Sequence, residues 1–217
     1  MLAEKWASEK RVGNFYASSE CPLDPRLTPL GEEQALANRS ITQLYPEGYP
    51  ELIFVSPMRR AVQTALLSFG GGGGNDGGDI RQTKQTPTSR FVALESCREQ
   101  TGLHICDKAQ PLWKTRAEFP IVDFSGVRYD PDRPDADLLW ERVGGTGARE
   151  SRADLILRAR SLMAEVARRT ETSISVVAHS SLLLTLFNAV LELRPADAAL
   201  GAWFRTGEMR SVSIFFD

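Results

Sequence analysis

The run ELIFVSPMRRAVQTALLSF, Glu51 to Phe69, constrains the fold more than any other part of the chain. Leu52 to Val55 is a short uninterrupted apolar run. A Ser-Pro turn closes it, and a segment with helical apolar spacing follows at once. Strands that are apolar on both sides belong to parallel sheets whose two faces are covered by helices. Glu51–Ser56 is therefore read as a strand and Arg59–Phe69 as a helix. The turn delivers Arg59 and Arg60 just past a buried strand end, although cations at a helix N-terminus oppose the macrodipole. A guanidinium offers a planar fork of donors matched to phosphate or carboxylate oxygens, so an anion is the expected partner.

The rest of the chain repeats the strand–helix alternation. Thr28-Pro29 before LGEEQALANRSITQLY is a helix start, with a threonine cap and proline at the first helical position. RFVAL (Arg90–Leu94) is a short strand, and PLWKTRAEF (Pro111–Phe119) a short helix with a proline start. Asp123 to Gly147 reads as irregular, being rich in Pro, Asp and Gly. Ser151 caps a helix running to Arg169, with Leu155, Ile156, Leu162, Met163 and Val166 at helical spacing. SISVVAH (Ser173–His179) is a strand, Ser180-Ser181 open another apolar helix, and RSVSIFF (Arg210–Phe216) reads as a last strand. The expected fold is a layered α/β/α domain with a mostly parallel central sheet, one domain over residues 1–217. Gly70–Asp79, with its run of glycines, reads as a flexible surface loop. It is not a phosphate cradle, because no Lys-Ser/Thr and no helix follow it.

Composition narrows the function classes. Of 217 residues 42% are apolar and 25% charged, and a net charge of −2 gives no global attraction to nucleic acid or to an anionic membrane. Any anion site must be local. Three cysteines, Cys21, Cys97 and Cys106, form no C-x-x-C pair, which reads as a reduced, cytoplasmic chain. The first residues carry charges from Glu4 onward and hold no apolar signal region, and the longest apolar run, Leu182–Leu191, is too short to cross a bilayer.

In open α/β sheets ligands bind beyond the carboxyl ends of the strands. Three features fall there: Arg60 with Arg59, the carboxylates Glu95 and Glu99, and His179. A cation fork, a carboxylic acid and an imidazole at one sheet edge suit anion binding joined to acid/base chemistry. His104 reads as a polar loop residue. With Cys106 and Asp107 it lacks a further ligand for a metal. Val143–Arg149 (VGGTGAR) reads as a loop, and Trp140 and Trp203 read as core residues.

The motifs are similar to those of the histidine phosphatase superfamily, the phosphoglycerate mutase-like clan. SPMRRAVQTA (Ser56–Ala65) resembles its S-P-x-x-R-x-x-Q-T-A signature, and DPRLTPLGEEQA (Asp24–Ala35) resembles its D-x-x-L-T-x-x-G-x-x-Q-A helix start. CREQTGLHICD (Cys97–Asp107), FPIVDFS, VVAHSSLL and WFRTGEMRSV resemble the fungal and plant phosphomutase-like branch, in the same order. The resemblance implies a phosphomonoester hydrolase or mutase acting on a small-molecule phosphate ester, without metal or other cofactor. Its reaction would pass through a phosphohistidine. Arg60 and His179 would surround the phosphate, with His179 as imidazolium, and Glu99 would protonate the leaving oxygen and then activate water. Arg60 is then the phosphate clamp and Arg59 a solvated neighbour.

The family's Arg-His-Gly motif, on its first strand, has no counterpart here. Only His104 and His179 are present, and the matching position falls near Lys5, within a charged, helix-prone stretch. Losing one member of a covalent constellation costs several powers of ten in rate. A missing central strand would strip about six backbone groups of partners, at roughly 1–3 kcal/mol each. A truncated or alternative start is expected over evolved loss, since Arg60, Glu99 and His179 remain. Three functions stay open at this point: a phosphatase of reduced or lost activity, a non-catalytic binder of phosphate esters, and a lyase, cyclase or non-phosphate hydrolase using Glu99 and His179.

Overall fold

A computed structural model describes residues 21–42, 49–70, 89–145 and 147–216. Helix α1, Pro29–Thr42, opens as the Thr28-Pro29 pair requires, the Gly31 amide donating to Thr28 Oγ1 at 3.2 Å. Strand β1, Leu52–Val55, leads through the Ser-Pro turn into α2, Arg59–Phe69. Then follow β2 (Arg90–Leu94), α3 (Leu112–Glu118), β3 (Val122–Gly126), α4 (Leu138–Arg142), α5 (Arg152–Ala167), β4 (Ile174–Val177) and α6 (Ser180–Thr185).

The four strands form one parallel sheet in the order β3-β2-β1-β4. Central β1 is buried on both faces and feeds two cores. Leu52 and Phe54 meet Leu155, Ala159 and Leu162 of α5 and Leu182 of α6. Ile53 and Val55 meet Ala61, Val62, Ala65 and Leu66 of α2, with Phe119, Val122 and Phe124 beyond. Alternation along a strand sends neighbouring side chains to opposite faces, so one apolar run serves both layers. Helix α1 covers α2 from outside: Arg39 donates to the carbonyls of Leu67 and Gly70 and so caps the α2 C-terminus. Ser151 caps α5 by accepting from the Asp154 amide at 3.1 Å. Cys21, Cys97 and Cys106 are buried free thiols. Among the described residues no helix is long and apolar enough to cross a membrane.

Two expectations change. Asp123–Gly147 is not wholly irregular, since Val122 and Phe124 point inward on β3 and Asp137 caps α4 through the Trp140 amide. The Pro and Asp density masked a strand with only two inward positions. Arg210–Phe216 forms no regular element and joins no sheet among the described residues, and Phe215 is 89% exposed. Its partner edge is open: among the described residues β4 pairs only with β1. Among the described residues the four strands form one sheet without a gap. The Lys5 region and Gly71–Asp79 lie outside the described residues.

In β4 the carbonyls of Ser173 and Val177 accept from β1-side amides, Glu51 and Ser56, each at 2.9 Å. Odd residues therefore face β1, and Ile174 and Val176 turn their backbone groups to the open edge. In native-state hydrogen exchange the amides of Ser175 and Val177 should exchange slowly and those of Ile174 and Val176 at least about tenfold faster. Equal protection of all four would contradict the open edge.

Candidate active site

Arg60 sits on the first turn of α2, which the Ser56-Pro57-Met58 turn brings to the carboxyl end of β1. The cost of cations at that helix start is offset by Asp24, whose carboxylate accepts from the Arg59 amide at 2.9 Å. Asp24 is buried, holds a φ of 40°, and also accepts from the Gln110 amide at 3.2 Å. Gln63 receives the Leu27 amide at 2.9 Å and so ties the segment before α1 to α2. Arg59 is not the solvated neighbour expected. Its guanidinium forks onto Glu118 at 2.9 and 3.3 Å, linking α2 to α3.

Arg60 is held in place by the protein. Nη1 donates to the Cys106 carbonyl at 2.7 Å, and Nη2 donates to Asp107 Oδ1 at 2.8 Å. Nη2 also lies 3.4 Å from His179 Nδ1, and His179 Nε2 lies 2.8 Å from Ser56 Oγ. An arginine only donates, so Nδ1 accepts and the imidazole proton rests on Nε2, which donates to Ser56. Desolvation, then the positive charges of Arg60, Arg98 and Arg158, hold the His179 pKa well below its usual value. These surroundings favour a neutral imidazole at His179. Burial raises the Asp107 pKa, and the neighbouring Arg60 opposes that rise.

Glu99 follows β2 and reaches the start of α6. One carboxylate oxygen accepts from the Ser181 amide at 3.3 Å and the Ser180 hydroxyl at 3.4 Å, and the other from the Gln100 amide at 2.8 Å. The structure therefore brings Arg60, His179 and Glu99 to one cleft of about 820 Å³, which His104, Cys106, Asp107 and Arg149 also line. Glu95 does not join them. It pairs with Arg98 at 3.0 Å. His104 is a cleft residue rather than a plain loop residue, and Trp203 lines the cleft at 57% exposure while Trp140 is core.

Sequence reasoning missed the residues that shape this site. Arg98 forks onto Asp137 at 2.6 and 2.7 Å and onto the Asp107 carbonyl at 2.8 Å. Arg158, on α5, forks onto Glu150 at 2.7 and 2.5 Å and also reaches the carbonyls of Ser96, Arg98 and Glu99. Asp107 lay inside the CREQTGLHICD motif, which was its one available signal. The thiols give no nucleophile, since burial pushes Cys97 up to about 12 and Cys106 higher, Asp107 adding to the latter. Among the described residues no group of three His, Cys, Asp or Glu side chains could hold a metal ion.

Asp107 and an incoming anion compete for the same guanidinium nitrogen. Asp107→Asn keeps an acceptor at Arg60 and removes the charge, so it should tighten sulfate binding several-fold in titration calorimetry. In the native chain sulfate, dianionic throughout, should bind more tightly at pH 5.5 than at 7.5. An anion draws a proton onto His179, and acid neutralises Asp107, so both act in the same direction. A flat profile would contradict this electrostatic account.

No family model matches the chain. It is 32% identical over 191 residues to a phosphoglycerate mutase-like protein of Arabidopsis thaliana, covering 79% of this chain and 65% of the relative. It is 30% identical over 210 residues to phosphoglycerate mutase-like protein 1 of the same plant, covering 88% of this chain and 71% of the relative. The chain thus spans just under two thirds of the first relative's length. Among solved structures, a mycobacterial glucosyl-3-phosphoglycerate phosphatase bound to VO3 aligns with a TM-score of 0.45 at 25% identity, over 87% of this chain and 79% of that one.

Proposed function

The chain belongs to the phosphoglycerate mutase-like proteins of the histidine phosphatase superfamily, and from that premise we propose that its cleft is a phosphomonoester site. Arg60 and His179 receive the phosphoryl group, and Glu99 faces the bridging oxygen of the ester. The observation that carries this reading is the contact of Arg60 Nη2 with both His179 and Asp107, with Glu99 bound to the helix that His179 begins. A phosphoryl group spreads charge over its oxygens as it transfers, and fixed donors supply most of the stabilisation.

The same geometry weighs against turnover by these 217 residues. His179 presents a neutral ring whose nitrogens are taken by Arg60 and Ser56. Ser56 cannot replace a histidine nucleophile: it is fully buried and accepts the Nε2 proton, so His179 holds the wrong tautomer to deprotonate it. His104 is the one other histidine in the sequence. We infer a site that binds phosphate esters and hydrolyses them slowly or not at all. The acid/base alternative using Glu99 and His179 gains no specific support, because His179 is locked between Arg60 and Ser56.

Two measurements test this. Millimolar phosphate should raise the melting temperature by a few degrees, and Arg60→Ala should abolish the rise. Hydrolysis of p-nitrophenyl phosphate should match that of Arg60→Ala. Absence of any thermal response would overturn the phosphate site, whereas rapid turnover lost in Arg60→Ala would overturn the inactive reading.

A further inference from the structure

The phosphate reading uses neither the Cys21 nor the Cys106 side chain. Each is 6% exposed, and the fold brings the two thiols into a hydrogen-bonded pair. The chain around them sets that meeting. Asp24, just after Cys21, accepts from the amide of Gln110, just after Cys106, at 3.2 Å. The segment before α1 therefore runs alongside the loop that carries Cys106 and Asp107. The third thiol, Cys97, is wholly buried with Ser96 and Arg158 as its neighbours.

The pair abuts the phosphate clamp. The Cys106 carbonyl accepts from Arg60 Nη1 at 2.7 Å, and the next residue, Asp107, holds Nη2. Cys106 also lines the cleft, which gives a small oxidant a path to it. Both thiols are tied to fixed points. Pro22, and the buried Asp24 bound to the amides of Arg59 and Gln110, tether Cys21. On the other side Arg98 holds the Asp107 carbonyl at 2.8 Å. A disulfide brings its sulfurs to about 2.05 Å, well inside any non-bonded contact. The Cys106 peptide, with its carbonyl on Arg60, must take up that closure.

We propose that Cys21 and Cys106 are a redox-responsive dithiol, whose closure to a disulfide by a peroxide loosens Arg60 and weakens phosphate binding. The effect on binding rests on the phosphate-site reading, whereas the pair itself does not. One thiol, as thiolate, attacks a peroxide oxygen and the O–O bond breaks. A sulfenic acid forms, and the departing hydroxide takes up the proton that the thiol lost. The other sulfur then attacks the sulfenic sulfur, the S–O bond breaks, and its thiol proton leaves in a second water. The two sulfurs lose two electrons and the peroxide gains them. Burial, and then Asp107, keep the Cys106 thiol protonated, so closure is slow beside that of an exposed thiol.

The test exposes the native chain to millimolar hydrogen peroxide, counts its thiols in denaturant and maps its peptides. One thiol, Cys97, should remain, and Cys21 and Cys106 should appear in a cross-linked peptide pair that dithiothreitol separates. In titration calorimetry the oxidised chain should bind inorganic phosphate at least about threefold more weakly, since a clamp without fixed geometry must be ordered on binding. Dithiothreitol should restore the affinity. Cys21→Ser, which leaves Cys106 and its carbonyl in place, should show neither the cross-link nor the loss. Three remaining thiols, or a cross-link between chains or to Cys97, overturn the pair. A Cys21–Cys106 bond with unchanged phosphate affinity overturns its hold on Arg60. A reduced chain that binds no phosphate overturns the phosphate site and the effect on it, while the thiol count still decides the pair.

Discussion

Two buried guanidinium groups decide the shape of the loop from Glu95 to Ala109, and most of the site depends on that loop. Taking a charge out of water costs several kcal/mol unless it is paired with opposite charge and hydrogen-bonded. Arg98, 3% exposed, meets Asp137, Glu95 and the Asp107 carbonyl, and Asp137 in turn receives the Ala109 amide. Arg158 meets both oxygens of Glu150 and three loop carbonyls. Removing either arginine would strand a buried carboxylate, at about 3–5 kcal/mol. The Arg98 bond to the Asp107 carbonyl fixes the residue whose side chain meets Arg60. The Arg158 bond to the Glu99 carbonyl fixes the residue whose side chain meets α6. The ion pairs are thus the frame on which the anion site is hung.

The site they frame is balanced rather than strongly positive. Arg60 already has a carboxylate at 2.8 Å, and His179 is neutral. An arriving phosphate gains little from a bare Coulomb field and more from geometry: donors already oriented, a low-dielectric floor, and an imidazole able to take a proton when a dianion arrives.

The strand–helix alternation was legible because Leu52–Val55 and Ile174–Val177 are short apolar runs bounded by turn residues, and Thr28, Pro29 and Ser151 have one plausible local use each. The convergence of Arg60, Glu99 and His179 was legible from position alone, since each follows a strand in a parallel sheet. Strand β3 was hidden because Val122 and Phe124 stand among Pro, Asp and Gly. Arg98, Asp137, Glu150 and Arg158 could not be read at all. A buried ion pair leaves no period or composition behind, and residues such as Arg98 and Asp137, 39 apart in sequence, look like ordinary surface charges until the fold joins them. Arg59 failed the other way: exposure was inferred from its charge, while Glu118 was waiting on α3.

Among the described residues the outer edge of β4 and His179 lie at the same part of the cleft. His179 lies just beyond β4, at the cap of α6, and β4 is the strand whose outer edge has no partner among the described residues. The cleft follows that edge from Ser173 to Ala178, with residues from Trp203 to Ile214 lining it as well. A strand running parallel to β4 along its outer edge would end beside His179, because parallel neighbours finish at the same end of a sheet. Arg210–Phe216 joins no sheet among the described residues and leaves Val212, Ile214, Phe215 and Phe216 exposed. The loop that carries Glu99 and Asp107 is held by the ion-pair frame at the carboxyl ends of β1, β2 and β4.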